Sequence, residues 1–448
     1  MIALGVGTCH RGVIQSGPGW GHLAPGLLGA GGLGMWQGWD PGVRDHSAGG
    51  SSQEGPASPR ERGGWEAGVQ SREKGLGLME WGRARQVYLV TGGCGFLGSH
   101  LVRMLVERSP NVAEVRVFDL QLDPALRQLG TDKVKVTLIL GDISSPTDVG
   151  AAVKGADVVI HAASLVDVWG RVPPEKITEV NVHGTKNVID ACIEHGTQYL
   201  IYTSSMEVVG PNTKGDPFYR GNEDSAYDAQ HEQPYPLSKA QAERMVIEAN
   251  GTPLGGGRWL VTCALRPTGI YGEKHPLMKE FYEKGLQTGR RLLRAIPVST
   301  EHGRVYVGNV AWMHVLVARQ MQDAPAAIAG QVYFCYDASP YKSYEDFNME
   351  ILASCGFRLL GSQPVVPHWL LRCLALANNL LRRLLRPFFS YAPLLNPYTL
   401  AVASTTFTVQ TDKAQRHFGY QPLYTWEESR ARTVAWIQEV DAQREAGK

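Results

Sequence analysis

A glycine-rich turn between an apolar strand and an amphipathic helix constrains the fold of this chain more than any other feature. The apolar run at 87–91 predicts a strand, and Thr91-Gly-Gly-Cys-Gly-Phe-Leu-Gly98 follows it directly. Apolar residues at helical spacing predict the next helix, namely Leu101, Val102, Leu105 and Val106. Gly92, Gly95 and Gly98 have a GxxGxxG spacing, which permits a tight turn, the approach of a pyrophosphate to the backbone, and close packing of helix on strand. The turn therefore predicts a dinucleotide site.

The chain downstream of the turn alternates strands with helices. Four more strands are predicted from near-continuous apolar runs at 115–119, 134–140, 158–162 and 199–204. A helical stretch is predicted over about 177–195. Apolar strands separated by helices form a parallel sheet that is covered on both faces and joined by right-handed crossovers. The predicted fold class is α/β, a doubly wound parallel sheet with a smaller C-terminal lobe.

This pattern divides the chain into three regions. Residues 1–85 hold 22 of the 51 glycines and lack a hydrophobic period, so they are predicted to be a disordered extension. Met79 is an alternative start, which leaves open whether residues 1–78 are translated. A nucleotide-binding domain is predicted over 86–270. A substrate lobe is predicted over 271–440, where the alternation loosens.

Charge and cysteine usage exclude several classes of protein. The formal net charge is +1, whereas a nucleic-acid-binding protein carries a clustered excess of Lys and Arg. The seven cysteines form no CxxC pair, which argues for reduced thiols and against a disulfide framework or a zinc site. The start of the chain has no basic segment followed by a compact apolar run, so no signal peptide is predicted.

The end of the second predicted strand indicates which dinucleotide binds. Asp119 ends that strand, where a carboxylate accepts hydrogen bonds from the adenosine ribose hydroxyls. This carboxylate would repel a 2′-phosphate, and the adjacent Leu120 supplies no cation, so NAD is favoured over NADP. Other cofactor contacts are predicted in the glycine turn and, at the adenine edge, after the third strand: Phe96, Leu97, Asp142 and Ile143.

Tyr235-Pro-Leu-Ser-Lys239 is a YxxxK motif on a predicted helix that ends at Asn250-Gly251. The spacing of four places the phenol and the ammonium on the same side of the helix. A fixed positive charge favours phenolate, so Lys239 is predicted to lower the pKa of Tyr235 from about 10. Tyr235 would then remove the proton of a substrate alcohol while hydride leaves for the nicotinamide. Lys239 would also hold the nicotinamide ribose.

A serine pair at the end of the preceding strand strengthens the catalytic interpretation of the YxxxK motif. Thr203-Ser-Ser205 lies at the carboxyl end of that strand, which borders the ligand crevice in a doubly wound sheet. Ser205 is predicted to hydrogen-bond the reacting oxygen. Simple capping of the strand end is the alternative for Ser204 and Ser205.

Taken together, these motifs resemble the 3β-hydroxysteroid dehydrogenase/Δ5-Δ4 isomerase family over about residues 86–440. The resemblance is carried by the glycine turn, the YxxxK motif, Tyr202-Thr-Ser-Ser-Met-Glu-Val, Leu265-Arg-Pro-Thr-Gly-Ile-Tyr-Gly, Val305-Tyr-Val-Gly-Asn-Val-Ala-Trp and Thr411-Asp-Lys-Ala-Gln-Arg. It implies a Rossmann-type fold of the extended short-chain dehydrogenases, NAD as cofactor, and a steroid whose 3β-hydroxyl is oxidised. Gly210-Pro-Asn-Thr-Lys-Gly and Ala392-Pro-Leu-Leu-Asn-Pro-Tyr-Thr look most like the branch that acts on 7α-hydroxylated C27 sterols in bile-acid synthesis.

The resemblance also implies a second reaction, in which a double bond shifts from Δ5 to Δ4. The tyrosine and the aspartate that the family uses for it fall on Tyr333 and Asp337. A carboxylate can take a proton from C4, and a phenol can return one at C6. Asp337 precedes Ala-Ser-Pro, so a turn-starting aspartate is the alternative.

A leucine-rich segment over about 367–389 raises the question of a membrane. Six polar residues share an arc of about 100° if the segment is helical: His368, Arg372, Asn379, Arg382, Arg383 and Arg386. Arginines cost roughly 2.5–3.5 kcal/mol each near the centre of a bilayer, which favours a helix lying in the membrane surface over a spanning helix. Packing on the protein's own core is a further alternative. The expected location is the endoplasmic reticulum membrane, with the catalytic domain facing the cytosol.

Two other functions compete with the steroid dehydrogenase hypothesis. A nucleotide-sugar epimerase or dehydratase shares the sheet, the glycine turn and the Ser/Tyr/Lys set, but needs cations that grip a pyrophosphate in the second lobe. A catalytically silent NAD-binding scaffold has no chemical need for Ser205, Tyr235 and Lys239 together. The oligomeric state stays open, with a homo-oligomer among the options.

Overall fold

The computed structural model describes residues 85–446 except 212–213, 228, 230, 386–387 and 389–390. The predictions for the Gly-rich extension over 1–85 and for the start at Met79 therefore fall outside the described residues, apart from Arg85.

In the part of the chain that the structure describes, seven parallel strands form the central sheet and eight further strands form two-stranded pairs. In chain order the strands are β1 (Gln86–Thr91), β2 (Val112–Asp119), β3 (Lys135–Leu140), β4 (Val158–His161), β5 (Tyr199–Thr203), β6 (Phe218–Gly221), β7 (Pro253–Leu254), β8 (Arg258–Trp259), β9 (Val261–Pro267), β10 (Gly269–Tyr271), β11 (Arg291–Leu293), β12 (Arg304–Tyr306), β13 (Gln331–Cys335), β14 (Arg358–Leu360) and β15 (Phe407–Val409). The order in the central sheet is β3-β2-β1-β4-β5-β9-β13, with every neighbouring pair parallel. The predicted α/β class with a doubly wound parallel sheet is confirmed.

Helices cover the sheet and build the second lobe. In chain order the described α-helices are α1 (Phe96–Arg108), α2 (Pro146–Val153), α3 (Pro174–Thr178), α4 (Gly184–His195), α5 (Pro234–Glu248), α6 (Pro276–Gln287), α7 (Val307–Asp323), α8 (Tyr344–Leu352), α9 (His368–Leu385), α10 (Pro397–Ser404), α11 (Lys413–Phe418) and α12 (Trp426–Ala446). A π-helical turn, Glu179–His183, joins α3 to α4, and Gly196 in the left-handed conformation ends α4. The predicted helix over about 177–195 is therefore observed with an added π turn.

Alternate residues of β1 face opposite sides of the sheet, as the period of a strand requires. Tyr88 and Val90 lie in the core that α1 and α7 cover. Leu89 lies in the core that α2, α4 and α5 cover. Because both faces are buried, the strand has consecutive apolar residues over 87–90 rather than an alternating pattern.

The chain reverses its direction of strand addition between β1 and β4, which places a crevice beyond their carboxyl ends. Gly92 follows β1 there with a φ of 66°. A Cβ at Gly92 would come within 2.7 Å of the Ala163 Cα, just after β4. Glycine is therefore required both by the backbone conformation and by the close approach of the next connection.

The second lobe does not form a separate continuous segment after residue 270. β13 returns to the edge of the central sheet beside β9, and α7 packs against α1. The lobe itself comprises α6 and α8–α10 with the pairs β10–β12, β11–β14 and β6–β15. α9 ends at Leu385, within the predicted range of about 367–389. Among the described helices, none combines the length and the apolar character that crossing a bilayer requires.

Candidate active site

The glycine turn forms a cradle at the start of α1. Gly95 is the N-cap residue of α1. Because glycine has no side chain, no capping side chain accepts hydrogen bonds from the first amides of the helix. A Cβ at Gly98 would overlap the Gly92 carbonyl oxygen, so this position also requires glycine. Unsatisfied amides at a helix N-terminus favour an anion. The turn therefore fits the pyrophosphate of a dinucleotide.

Asp119 lies beside this turn at the end of β2. One carboxylate oxygen accepts a hydrogen bond from the Cys94 amide at 3.0 Å, and the other accepts from the Gln121 amide at 3.3 Å. These bonds orient the carboxylate next to the glycine turn, where sequence analysis predicted the adenosine ribose. The adjacent Leu120 is 57% exposed and brings no positive charge to the site.

The other predicted cofactor residues have mainly structural contacts. Asp142 accepts a hydrogen bond from the Ser144 amide at 2.8 Å. Ile143 is buried in the core, and a Cβ at Gly184 would lie in tight contact with its side chain, at 3.0 Å. Their role at the adenine edge stays a prediction.

Phe96 and Leu97 open α1 and face different surroundings. The Phe96 ring stacks edge-on against the His275 ring, with centroids 4.9 Å apart, and it lines the cavity described below. Leu97 packs on the apolar cores instead. Of the two, Phe96 is therefore the residue that borders the cavity.

A cavity of about 370 Å³ lies between the end of β5, the start of α5 and α10. Its volume is within the range of about 300–1,000 Å³ that small-molecule sites occupy. Its wall is mostly apolar and includes Val166, Trp169, Met206, Ile270, Leu277, Phe281, Ile296, Leu395 and Leu400. Ser205 and Tyr235 contribute polar groups to this wall, so the structure brings these two predicted residues together at one cavity.

Tyr235 lies in the first turn of α5, which Pro234 opens. Tyr235 is only 6% exposed, and the Ser205 side chain acts on its phenol in the direction that lowers the pKa. Ser205 also caps the short 3₁₀ turn that follows β5, accepting from the Glu207 amide at 3.2 Å. The capping role and the contact with Tyr235 therefore coexist in one serine.

Lys239 lies one turn further along α5 and is buried. Its Nζ donates to the Thr203 carbonyl at 2.6 Å and lies 4.4 Å from the centre of the Tyr202 ring. Burial lowers the pKa of Lys239 to about 7, and the Glu243 carboxylate opposes this shift. The ammonium is thus tied to the end of β5, beside the serine pair.

The predicted lowering of the Tyr235 pKa is wrong for this structure. Burial raises the pKa of Tyr235 well above its usual value, and the negative charge of Glu207 adds to the rise. Only the Ser205 side chain acts in the opposite direction. The YxxxK spacing correctly places the two side chains on one face, but desolvation by burial sets the direction of the Tyr235 shift.

Glu207 is a cavity carboxylate to which sequence analysis assigned no role. It lies two residues after Ser205, and Tyr398 on α10 donates to its Oε2 at 2.9 Å. Burial raises the pKa of Glu207 to about 7, although the Tyr398 hydrogen bond opposes the rise. Glu207 belongs to the motif Tyr202-Thr-Ser-Ser-Met-Glu-Val, which the sequence makes visible. The apolar cavity that raises the pKa of Glu207, however, forms only in the folded protein.

Two buried polar links behind the cavity were also missed. Glu243, one turn beyond Lys239, forms a bidentate pair with Arg266 at 2.9 and 2.6 Å and accepts from the Ser204 hydroxyl at 2.6 Å. Asn181 in the π turn donates to the Ser238 hydroxyl at 2.9 Å, which in turn donates to the Tyr235 carbonyl. Both links fix α5 relative to the sheet, and neither is visible as a local motif.

Tyr333 and Asp337 are not among the residues that line the cavity. Tyr333 is fully buried on β13, and its hydroxyl pairs with His417 at 2.8 Å. Asp337 accepts from the Tyr306 amide and the Asn309 side chain, both at 2.8 Å, and from the Ser339 amide at 2.9 Å. These contacts resemble the turn alternative for Asp337, and the isomerase role of both residues stays a prediction.

Solved structures with the same architecture show the fold. A structure of DesIV, a dTDP-glucose 4,6-dehydratase from Streptomyces venezuelae, with NAD and TYD bound is 20% identical with a TM-score of 0.57, over 79% of this chain and 97% of that one. The Thermus thermophilus UDP-glucose 4-epimerase in complex with NAD is 22% identical with a TM-score of 0.52, over 79% and 99%. The fold is thus that of the extended short-chain dehydrogenases and epimerases.

Sequence comparison then identifies the family. A family model described as 3-beta hydroxysteroid dehydrogenase/isomerase family matches residues 89–365. Relatives named 3 beta-hydroxysteroid dehydrogenase type 7 are 64% identical in Mus musculus and 65% identical in Homo sapiens, over 79% of this chain and 96% and 95% of theirs. A Vaccinia virus protein named 3 beta-hydroxysteroid dehydrogenase/Delta 5-->4-isomerase is 44% identical over 79% and 99%. The chain belongs to the 3-beta hydroxysteroid dehydrogenase/isomerase family, which confirms the predicted resemblance and makes the protein an oxidoreductase.

Proposed function

We propose that this protein oxidises the 3β-hydroxyl of a Δ5 steroid with NAD and then isomerises the product to the Δ4-3-ketone. The observation that carries the first step is the placement of Ser205 and Tyr235 together in the wall of an apolar cavity, with Lys239 behind them. An apolar wall suits a steroid nucleus, which offers few polar groups. The names of the mouse and human relatives agree with this substrate class.

In the oxidation, Tyr235 takes the proton of the 3β-hydroxyl and Ser205 holds the same oxygen. NAD, when bound, would supply a positively charged nicotinamide ring that accepts the hydride from C3. Burial raises the pKa of Tyr235 and so disfavours its phenolate form. Tyr235 therefore needs a nearby cation to act as a base. Lys239 supports this role by holding its ammonium at the end of β5.

The NAD assignment rests on residues of the first domain. The cradle at Gly92, Gly95 and Gly98 would hold the pyrophosphate, and Asp119 would accept from the ribose hydroxyls. A 2′-phosphate at that position would meet the Asp119 carboxylate, so NADP is disfavoured.

For the isomerisation, Glu207 is better situated than the pair Tyr333 and Asp337. It lies on the cavity wall beside Tyr235, and its pKa of about 7 suits a group that accepts and returns a proton at neutral pH. C4 and C6 both flank C5, so one carboxylate can take the proton from C4 and deliver it to C6 as the double bond moves. The proton count balances, and no oxidant is needed for this step.

The substrate that the resemblance implies is a 7α-hydroxylated C27 sterol of bile-acid synthesis, and we carry this forward as part of the proposal. A nucleotide-sugar substrate is the second candidate, because proteins of that activity share the fold. It is disfavoured by the mostly apolar cavity wall, in which Arg304 is the single arginine or lysine among the lining residues.

We also propose that the protein binds the surface of the endoplasmic reticulum membrane, with its catalytic domain in the cytosol. α9 packs on the lobe through Leu371 and Ala375. Its opposite face exposes Trp369, Leu376, Leu380, Leu381 and Leu384. Arg372 and Arg383 lie at the edge of that face, as in helices that rest in the headgroup region.

The decisive experiment is to incubate purified protein and NAD with 3β-hydroxy-Δ5 steroids that carry or lack a 7α-hydroxyl. NADH formation reports the oxidation, and the ultraviolet absorbance of the conjugated Δ4-3-ketone reports the isomerisation. UDP-glucose serves as the competing substrate. Turnover of the sugar nucleotide without turnover of any steroid would refute the proposal.

A further inference from the structure

A second cavity of about 780 Å³ lies beside the one that contains Ser205 and Tyr235. We call the second cavity the outer groove and the first the active cavity. The outer groove is bounded by the start of α9, by α10 and by the segments around Pro211 and Pro297. Its volume is within the range of about 300–1,000 Å³ that small-molecule sites occupy. The proposed steps leave this space without a role.

α10 separates the outer groove from the active cavity. Three of its residues line the groove but not the active cavity: Pro397, Ala401 and Ser404. Three others line the active cavity but not the groove: Thr399, Val402 and Ala403. At 3.6 residues per turn the two sets lie on opposite faces of the helix, and Tyr398 and Leu400 lie at the two borders between them. Both border residues line both cavities, so a single helix is the wall that the two spaces share.

The two parts of this wall are held differently. In the segment beside α10, Ala295 lines the groove and Ile296 the active cavity, and their amides donate to the buried Glu345 carboxylate at 3.0 and 3.1 Å. At the border of α10, the Tyr398 hydroxyl donates to the Glu207 carboxylate at 2.9 Å. Rotation of the Tyr398 side chain would break this bond and move the ring away from the border. Tyr398 is therefore the place where the wall can open.

The body of the outer groove is apolar, and its charges are exposed. Apolar lining residues come from four segments of the chain: Pro297, Val366, Ala375, Leu400 and Ala401. The ionisable lining residues are all exposed: Lys214, Glu232, His368 and Arg372. Val365 and Leu376 also line the groove and are 51% and 60% exposed, and Leu376 belongs to the α9 face that we propose to rest on the membrane. The groove is thus continuous with that face.

We propose that the outer groove is a second steroid site, through which the substrate passes from the membrane surface to the active cavity. The inference rests on the proposed function, which supplies both the steroid as substrate and α9 as the membrane-binding element. A steroid that leaves a bilayer through water exposes its apolar surface, which is unfavourable. An apolar groove that adjoins the membrane face keeps this surface covered, and Tyr398 turns away from Glu207 to let the steroid pass.

The test measures how fast a steroid enters and leaves. Ala401→Phe adds a ring on the groove face of α10 and leaves the lining of the active cavity unchanged. A blocked passage raises the same barrier in both directions, so the association and dissociation rate constants should both fall by about tenfold, with Kd within about twofold. Stopped-flow energy transfer from tryptophan to dehydroergosterol, a fluorescent 3β-hydroxysteroid delivered from cyclodextrin, measures both constants without NAD. Ala151→Phe, at an exposed alanine of α2 outside both cavities, is the matched control and should change neither.

Tyr398→Phe tests the same passage from its other side. It keeps the ring but removes the hydroxyl that donates to Glu207, so both rate constants should rise by about threefold or more at nearly constant Kd. This second variant also decides the question if Ala401→Phe does not fold.

Unchanged rate constants in these variants would overturn the inference, as would an unmodified protein that does not bind dehydroergosterol. Weaker binding of Ala401→Phe to phospholipid vesicles, with unchanged steroid exchange, would overturn it by assigning the groove to a phospholipid. Failure of the unmodified protein to oxidise any steroid would count against the proposed function alone, because the exchange rates are measured without turnover.

Discussion

Of the residues at the reacting oxygen, Tyr235 is the one whose substitution should reduce steroid turnover most. Tyr235→Phe removes the acid–base hydroxyl and keeps the ring, so steroid turnover should fall by about 10²-fold or more. NAD binding should change little. The exposed Tyr219 offers a matched control, since Tyr219→Phe makes the same chemical change outside the cavity. Near-normal oxidation by Tyr235→Phe would contradict the proposed proton transfer.

Glu207 should control the second reaction through its protonation state. Glu207→Gln keeps the shape and the Tyr398 contact but cannot accept a proton, so a Δ5-3-ketone should accumulate while NADH still forms. The base is the ionised carboxylate, so the isomerisation rate of the unmodified enzyme should rise as pH increases through about 7 and level off above it. Stopped-flow absorbance of a supplied Δ5-3-ketone measures this step alone. A rate that is independent of pH between 5.5 and 8.5, on the order of 1.5 units either side of that pKa, would exclude Glu207 as the base.

At the scale of elements, Asp337 joins the end of β13 to β12 and α7. It accepts hydrogen bonds from the Tyr306 amide and from Asn309, and Tyr306 lies two residues after Arg304. Asp337→Asn replaces an acceptor oxygen by a donor, which should lower the free energy of unfolding by about 1–3 kcal/mol. Thermal unfolding measures this, and both reactions should decline together. Loss of the isomerisation alone, with normal stability, would instead support the role that the family resemblance implies for Asp337.

α9 is the element that should bind the membrane. Leu380→Glu together with Leu384→Glu places charges on the exposed apolar face, where the two leucines are 59% and 62% exposed. Each buried leucine contributes roughly 1.5–3 kcal/mol, so the affinity for phospholipid vesicles should fall by at least about tenfold. Co-sedimentation with vesicles measures the change, and steroid oxidation in detergent should be kept. Leu140→Glu, at a leucine that is 67% exposed on β3, is the control. An equal loss of binding in this control would argue against a specific role of α9.

At the scale of the whole molecule, cofactor binding should stabilise the fold, because a ligand that binds only the folded state adds its binding free energy. NAD should raise Tm in proportion to the logarithm of its concentration, and NADP should raise it much less. Combining Asp119→Ala with Leu120→Arg removes the repelling carboxylate and adds a cation, so the larger Tm response should move to NADP. Equal responses to both cofactors in the unmodified protein would refute the role of Asp119.

The sequence by itself determined the architecture and much of the chemistry. Apolar runs and helical periods depend on local spacing, so they predicted the parallel strands β1–β5 and the doubly wound class. The glycine spacing predicted the turn at β1, because the positive φ of Gly92 and the crowding at Gly98 leave no room for other residues. The i, i+4 spacing likewise predicted that Tyr235 and Lys239 share one face of a helix.

Only the tertiary structure decided how these groups are tuned and which distant residues join them. The pKa of Tyr235 rises and that of Glu207 reaches about 7 because chain segments far apart in sequence close an apolar cavity around them, and desolvation has no local signature. Tyr398 meets Glu207 across 191 residues, and Asn309 meets Asp337 across 28.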